Sequence, residues 1–227
     1  MSSTPPPLKR RITPAERAQF RQELLDIARR ILMSEGYAAV TIRRITAEAG
    51  VTPMAFYWYF DCKDAMLTVI WDDIIQQAVP LFEAAIDRAP PDRRLLACCE
   101  AMVDYWLTHR DYFHFIYVSE APHVDMTRLR GQLLQMPGMK RVHALLFEQL
   151  EATLSEHADP TAKAQVCFMP VTYRLFGFLH SCIGLRNLSA ADTATQKALL
   201  LADLEDSLRT WRNPGIPSLV TKSSNHP

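Results

Sequence analysis

Apolar side chains recur three or four residues apart along most of this 227-residue chain, a spacing that predicts an all-α protein. The first apolar stripe consists of Phe20, Leu24, Ile27 and Ile31. Before it, Thr13 and Glu16 have the spacing of a capping box. Gly36 follows the stripe, where a residue with positive φ commonly ends a helix. The pattern therefore predicts a first helix that ends near residue 34.

Two shorter helices are expected next, joined at a glycine. Thr41 is placed to cap the first of them, and Gly50 supplies the turn. Thr52 is placed to cap the second, with Pro53 at its first position, and the five consecutive aromatic residues Phe56–Phe60 end it. A short helix held at a fixed angle by another fits the DNA major groove. The spacing thus predicts a helix-turn-helix.

A fourth helix is expected from about Cys62 to Arg88, capped by Asp61 and kinked at Pro80. Six further helices are expected near residues 92–108, 110–119, 127–135, 139–157, 160–187 and 190–211. Asp159 and Ser189 are the start signals of the last two. The chain then divides into a disordered basic arm (1–12), a DNA-binding domain (13–63), a helical effector-binding and dimerisation domain (64–212) and a disordered tail (213–227). The expected fold has three N-terminal helices and a larger helical domain, about nine to ten helices in all.

The composition narrows the class of protein. No run of 18 apolar residues predicts a membrane span, and the polar, proline-rich start lacks the apolar core of a secretory signal, so a cytoplasmic location is expected. Five cysteines in no recognisable spacing fit small buried side chains, with a redox-sensing thiol as the alternative. No metal or other cofactor is expected, because His109, His114 and His123 match no ligand motif.

Charge is distributed unevenly along the chain. The formal net charge is zero, yet residues 1–63 hold ten Lys and Arg against six Asp and Glu. The remainder of the chain is correspondingly acidic. A basic N-terminal part on an acidic body suits a protein that touches phosphates with one end only. Within that part, Lys9, Arg10 and Arg11 fit either a flexible arm along DNA or a solvated tail.

The segment TIRRITAEAGVT, the aromatic run Phe56–Phe60 and the opening Lys63-Asp64-x-Met66-Leu67 occur in one register. In these positions the chain resembles the TetR family of bacterial transcriptional repressors. About fifty residues, roughly 14 to 67, follow the family pattern. Beyond residue 70 the resemblance is limited to an all-helical architecture.

The resemblance implies roles for individual residues. Thr41 and Arg43 match positions that approach DNA from the second helix. The groove-facing start of the recognition helix corresponds to Thr52, Pro53, Met54 and Ala55. Phosphate contacts are implied for Tyr57, Tyr59 and Lys63, and Trp58 matches a variable, partly exposed position of the same surface.

The sequence Pro53-Met54-Ala55 has no side-chain hydrogen-bond donor for a base edge. Base readout is therefore expected to depend on Arg43, on apolar contacts to thymine methyl groups and on DNA shape. Arg43 pairing with a guanine and Arg43 binding a phosphate both remain open.

Two apolar stripes in the last helices predict a dimer interface, since a palindromic operator requires a symmetric dimer. Its candidate residues are Val166, Met169, Tyr173, Phe176, His180, Leu200, Leu204 and Leu208. The alternative is that both stripes face only the core of the chain itself.

The middle helices carry an unusual supply of aromatic residues and methionines, which suits a cavity for a hydrophobic or aromatic effector. The candidate pocket residues are Met102, Tyr105, Trp106, Phe113, Tyr117, Phe147 and Tyr173. The resemblance implies that such an effector acts by shifting the fourth helix and so the spacing of the two DNA-binding domains.

The function that these features predict is a ligand-responsive DNA-binding regulator, a repressor released from a palindromic double-stranded operator by its effector. An enzyme is disfavoured because no nucleophile motif, phosphate loop or metal signature occurs. A helical adaptor that binds protein instead of DNA is the remaining alternative, and the sequence leaves activation instead of repression open.

Overall fold

The computed structural model describes residues 13–118, 126–184 and 189–213. These residues form ten α-helices and no strand, which confirms the expected all-α class. The helices are α1 (Pro14–Glu35), α2 (Ile42–Glu48), α3 (Pro53–Phe56), α4 (Lys63–Arg88), α5 (Arg94–Thr108), α6 (Arg110–Phe113), α7 (Met126–Leu133), α8 (Pro137–Thr153), α9 (Pro160–Leu179) and α10 (Ala190–Arg212). The expected arm at 1–12, all but the first residue of the expected tail, and His123 lie outside the described residues.

The chain divides into two compact units, Met1–Ile70 and Trp71–Pro227. In the first unit several helix signals of the sequence are confirmed. The Thr13 hydroxyl accepts a hydrogen bond from the Glu16 backbone, and the Glu16 carboxylate accepts one from the Thr13 backbone at 2.8 Å. Gly36 and Gly50 have φ of 81° and 70°, values that suit glycine because it has no Cβ.

Two predicted caps are wrong. Thr52 makes no side-chain hydrogen bond at the start of α3. At the start of α4 the capping acceptor is the Cys62 Sγ, 3.4 Å from the Ala65 nitrogen, and not Asp61. Pro53 already removes one of the backbone donors at the start of α3, so that short helix has less need of a side-chain cap.

The recognition helix is shorter than expected. It ends at Phe56, and the next residues form tight turns in which Tyr57, Trp58 and Tyr59 each donate a backbone hydrogen bond to the carbonyl three residues before. Four of the five aromatic residues therefore follow the helix instead of ending it. Short i-to-i+3 turns of this kind are common at helix ends.

The second unit contains most of α4 and all of α5–α10. Its largest fully buried side chains include Trp71, Phe82 and Phe113. Wider π-helical turns at His114–Val118 and His180–Gly184 continue α6 and α9. Residues 119 and 185–187, where the sequence places the ends of these two helices, lie outside the described residues. Asp159 and Ser189 cap α9 and α10 as expected, each accepting a backbone hydrogen bond.

The segment Pro160–Gly184 is long and apolar enough by length and composition to cross a membrane, a feature that the search for uninterrupted apolar runs missed. The core helix of a soluble protein can satisfy the same criterion. Near its middle, the Arg174 guanidinium lies 2.7 Å from Asp203 and 5.6 Å from the Trp211 ring, both on α10. This charged side chain and its partner favour a helix packed against protein over one surrounded by lipid.

A candidate DNA-binding surface and a helical cavity

The predicted DNA-contacting residues share one exposed surface of the N-terminal unit. Thr41, Arg43, Thr52, Pro53 and Met54 are all exposed, and Ala55 is half-buried. Met54 has 66% of its surface accessible, which is unusual for an apolar side chain that has a core nearby. The structure therefore brings the start of α3 and the outer side of α2 together as a surface able to meet another molecule.

Buried aromatic residues hold this surface rigidly. Ile45 of α2 and Phe56 of α3 are fully buried, and the Phe56 and Phe60 ring centroids are 5.5 Å apart. Arg17 of α1 donates a hydrogen bond of 2.8 Å to the Trp58 carbonyl, which fixes the turn after α3. The position of α3 thus depends on core packing and on a contact from α1.

The adjacent arginines of α2 differ sharply in their surroundings. The Arg44 guanidinium donates to Glu35 at 2.6 Å and to Glu48 at 3.2 Å, and it lowers the pKa of the Glu35 carboxyl. The Arg43 side chain is exposed, and its guanidinium makes no hydrogen bond or ion pair within the described residues. Arg43 therefore keeps all its donors for a partner, whereas Arg44 is already bound to the chain's own carboxylates.

The tyrosines after α3 present their hydroxyl groups without a protein partner in the described part of the chain. Tyr57 is 53% exposed and Trp58 61% exposed. The Tyr59 ring packs 5.3 Å from the Phe20 ring, which positions a half-buried side chain. The geometry is that of aromatic side chains fixed by their rings and open at their polar ends.

Lys63 lies at the start of α4, on the same unit. Its ammonium group is 4.0 Å from the centroid of the Tyr37 ring, a cation–π contact, and burial lowers its pKa. The Tyr37 hydroxyl donates to Asp64 at 3.4 Å, and burial together with that carboxylate raises the pKa of Tyr37 to about 12. Lys63 forms no ion pair among the described residues, so its charge remains available to an anion.

A cavity of about 50 Å³ lies within the second unit. Its walls come from α4, α5, α8 and α9 and from the π turn after α6. They are formed by Ile75, Ala78, Phe82, Met102, Trp106, Tyr117, Met139, Val142, His143, Leu146, Thr172, Leu175, Phe176 and Leu179. Three of the residues predicted for an effector pocket, Met102, Trp106 and Tyr117, line it.

The other four predicted pocket residues lie elsewhere. Tyr105 is buried, with its hydroxyl donating to the Ile74 carbonyl at 2.9 Å, and Phe113 is buried beside the Trp106 ring. Phe147 lines a separate surface groove, and Tyr173 is 67% exposed. The cavity also contains a polar residue that the sequence reasoning missed, His143. The available signal was its helical spacing with Met139, Val142 and Leu146 on one side of α8.

Burial lowers the pKa of His143. His143 therefore has a higher pKa in the unfolded chain than in the folded chain, so the unfolded chain takes up a proton first as the pH falls. The free energy of unfolding should decrease as the pH falls from the ordinary histidine pKa toward the lower pKa of the folded state. His143→Gln should weaken that dependence, as measured by urea unfolding at pH 7.5 and pH 5.5. An unchanged difference between the two pH values would contradict the buried, neutral histidine.

The predicted dimer residues separate into three groups by exposure. Val166, Met169 and Tyr173 on α9 are exposed, as is His180, whereas Phe176 and Leu200 are half-buried. Leu204 and Leu208 are buried within the chain itself. An outward-facing apolar strip on α9 therefore exists, and Leu199 (58% exposed) adds to the exposed apolar surface on α10.

The described residues contain no cluster of three or more His, Cys, Asp or Glu side chains suited to a metal ion. His109 instead lies against aromatic rings, with centroids 4.4 Å from Tyr105 and 5.7 Å from Tyr112. Its Nδ1 is 2.8 Å from the Tyr105 carbonyl.

Comparison with known proteins identifies similarity in both parts of the chain. Residues 24–70 match the family model for bacterial regulatory proteins of the tetR family. The regulator AcrR of Shigella flexneri is 36% identical over 62 residues, which cover 27% of this chain and 29% of AcrR. The first curated relatives are matched over less than half of their own length.

Solved structures extend the similarity to most of the fold. BioQ with its natural double-stranded DNA operator has a TM-score of 0.51 at 23% identity, covering 83% of this chain and 96% of that one. RolR in complex with resorcinol has a TM-score of 0.56 at 17% identity, covering 90% and 98%. At these identities the likeness concerns the fold alone.

Proposed function

Through its N-terminal segment this chain belongs to the tetR family of bacterial regulatory proteins, and from that premise we propose that the whole chain is a cytoplasmic, homodimeric repressor. In this proposal residues 13–63 bind a palindromic DNA operator and residues 64–212 bind a small hydrophobic or aromatic effector and form the dimer. The effector releases the operator. The chain is a regulator and not an enzyme.

The observation that carries the proposal is the contrast between Arg43 and Arg44. An exposed guanidinium that has no partner in the part of the chain that the structure describes, next in sequence to one that is fully ion-paired, has the donors needed for a bidentate contact to guanine or a phosphate. On α3, which packs against α2, the exposed Met54 side chain can contact thymine methyl groups. BioQ, which has a similar fold, is solved with its natural double-stranded DNA operator, and this supports duplex DNA as the partner in the proposal.

Binding to duplex DNA from the region upstream of its own gene tests the proposal, measured by fluorescence anisotropy over a range of salt concentrations. We expect sequence-selective binding that weakens steeply with salt, because phosphate contacts release counterions. Duplexes drawn from a random library serve as the comparison. The proposal would be contradicted if the protein bound all of them equally well, or if its binding did not depend on salt. A helical adaptor would bind a protein partner and no duplex.

Two surface variants test the phosphate contacts. Lys63→Ala should reduce the slope of log affinity against log salt by about one for each DNA-bound copy of Lys63. Tyr59→Phe should weaken binding by about 0.5–1.5 kcal/mol per copy, the value of one hydrogen bond, without changing sequence preference. Tyr37→Phe is a matched control because it removes a hydroxyl that already has a partner, Asp64. A Tyr59→Phe protein with wild-type affinity would remove Tyr59 from the interface.

The exposed strip Val166, Met169 and Tyr173 supports α9 as the self-association surface. Large apolar side chains seldom remain clustered in solvent unless another surface covers them. Leu204 and Leu208 do not belong to that surface, because their own chain buries them. The proposed interface is therefore centred on α9, with Leu199 and Leu200 from α10.

A charge placed in this strip should separate the dimer. Tyr173→Glu is expected to yield a folded monomer at micromolar concentration, because an unpaired carboxylate buried at an interface costs several kcal/mol. Sedimentation velocity measures the state, and circular dichroism verifies folding. Lys140→Glu, on an exposed position of α8, should remain dimeric. Dimers that persist in the Tyr173→Glu protein would place the interface elsewhere.

The effector part of the proposal depends on the cavity in the second unit. Its walls are largely apolar, and α4, which supplies Ile75, Ala78 and Phe82, begins at Lys63 of the DNA-binding unit. A ligand that binds better when α4 is displaced will favour the conformation with lower operator affinity. A ligand that instead raises operator affinity would make the protein a ligand-activated DNA binder.

A further inference from the structure

Resting on the proposed function, we infer that the effector is a small uncharged molecule with one hydrogen-bonding group, that His143 binds this group, and that the ligand reaches the cavity between α8 and α9. All three parts of this inference depend on the position of His143. It lines the inner cavity and also a surface groove formed with Ala144, Phe147, Gln165 and Phe168.

The size of the two spaces indicates that the ligand needs both. The inner cavity of about 50 Å³ is far smaller than the roughly 300–1,000 Å³ of ordinary small-molecule sites. The surface groove measures about 390 Å³, and His143 lines it as well as the cavity. A movement of the histidine side chain joins the two into one site of sufficient size, open to solvent.

His143 is free to make this movement. Its ring packs edge-on against the Phe168 ring at 5.7 Å, and it makes no hydrogen bond within the described residues. The half-buried imidazole has no protein partner among the described residues, so its ring nitrogens are available to a hydrogen-bonding group of a ligand. The same side chain is thus both the wall between the two spaces and the group that a ligand can satisfy.

The charge of the lining residues sets the chemical class of the ligand. None of the fourteen residues around the cavity is Lys, Arg, Asp or Glu. Thr172 already donates its hydroxyl proton to the Phe168 carbonyl at 3.0 Å, so it can only accept from a ligand. The lowered pKa of His143 means that its neutral form dominates, and an ionised ligand would lose its hydration without gaining a counter-charge. Phenols and alcohols of moderate size meet these conditions.

Three matched probes test the inference on the full chain: 2-naphthol, which is neutral and has a hydroxyl, naphthalene, which lacks it, and the 2-naphthoate anion. Isothermal titration or ligand fluorescence gives the affinities. We expect 2-naphthol to bind about fivefold or more tightly than naphthalene, the value of one hydrogen bond, and 2-naphthoate to bind weakest. His143→Phe should abolish the preference for 2-naphthol over naphthalene, whereas His143→Gln, which keeps a hydrogen-bonding group, should retain it.

A separate variant tests the entry of the ligand between α8 and α9. Ala144→Trp fills the groove and should slow the association of 2-naphthol in stopped-flow measurements. Equal affinity for naphthalene and 2-naphthol, tighter binding of 2-naphthoate, or an unchanged preference in the His143→Phe protein would overturn the inference. Unchanged association kinetics in the Ala144→Trp protein would overturn the proposed entry route between α8 and α9.

Failure of this inference is distinguishable from failure of the proposed function by operator binding, which is measured in the same samples without probe. A protein that binds its operator but none of the probes refutes the ligand assignment alone. A protein that binds 2-naphthol with the expected preference but no DNA refutes the regulator proposal.

Discussion

Replacing Arg43 with alanine is expected to reduce discrimination between the operator and mismatched duplexes by about 1–3 kcal/mol at each half-site, the value of a bidentate contact to guanine. The physical reason is that Arg43 has no partner within the described residues, so its full donor capacity is available to a base edge. If the protein binds as the proposed dimer with two half-sites, this is the largest change in DNA binding expected from any single substitution on the surface. Competition anisotropy between the operator and single-base variants measures it.

The neighbouring arginine provides the control for this experiment. Arg44→Ala removes ion pairs to Glu35 and Glu48 that lie at the surface, where such pairs contribute roughly 0–1 kcal/mol to stability. Its operator discrimination should equal that of the parent protein. A uniform loss of affinity across all duplexes in the Arg43→Ala protein would show that Arg43 binds phosphate instead of a base.

Substituting Gly138 with alanine is expected to lower the free energy of unfolding by about 2 kcal/mol or more, the combined cost of overpacking and of a lost charge-assisted hydrogen bond. Gly138 lies in the first turn of α8, and its backbone nitrogen donates to the buried Asp72 carboxylate of α4 at 2.8 Å. An added Cβ would lie 2.7 Å from that same carboxylate oxygen and 3.1 Å from the Asp72 backbone oxygen. Urea unfolding followed by circular dichroism measures the loss.

Gly131 in α7 offers a matched control, because a Cβ there would meet nothing within 4 Å. Gly131→Ala should leave stability unchanged or raise it by up to about 1 kcal/mol, since glycine is a poor helix former. Asp72→Asn keeps the shape and an acceptor but removes the charge next to the α8 N-terminus, so a smaller loss than in Gly138→Ala is expected. A Gly138→Ala protein as stable as the parent would mean that α4 and α8 can separate without cost.

Local signals in the sequence were sufficient for much of the N-terminal unit. Thr13, Glu16, Thr41, Gly36 and Gly50 act through neighbours within a few residues, so their roles can be predicted from spacing. Thr52 and Asp61 matched the same rules yet make no capping bond, because a competing local group was present: Pro53 at the start of α3 and the Cys62 sulfur at the start of α4.

Partners distant in the chain could not be predicted in the same way. The family resemblance chose Arg43 over Arg44 as a DNA contact, but only the fold places Glu35 beside Arg44 and so gives the physical difference between them. Leu204 and Leu208 have the same periodicity as an exposed stripe, but the chain buries them. His143 was missed because its significance comes from the cavity and the groove on either side of it, which α4, α5, α8 and α9 form together.

The sequence by itself determined the all-helical class, the helix-turn-helix and the family of the N-terminal segment, because helix period, turns and the aromatic run are local properties of the chain. The tertiary structure alone decided which carboxylates pair with Arg44, which apolar residues remain exposed and which side chains meet at the cavity. Those properties arise because the fold brings residues that are far apart in sequence within a few ångströms of each other. A local sequence pattern does not predict such distances.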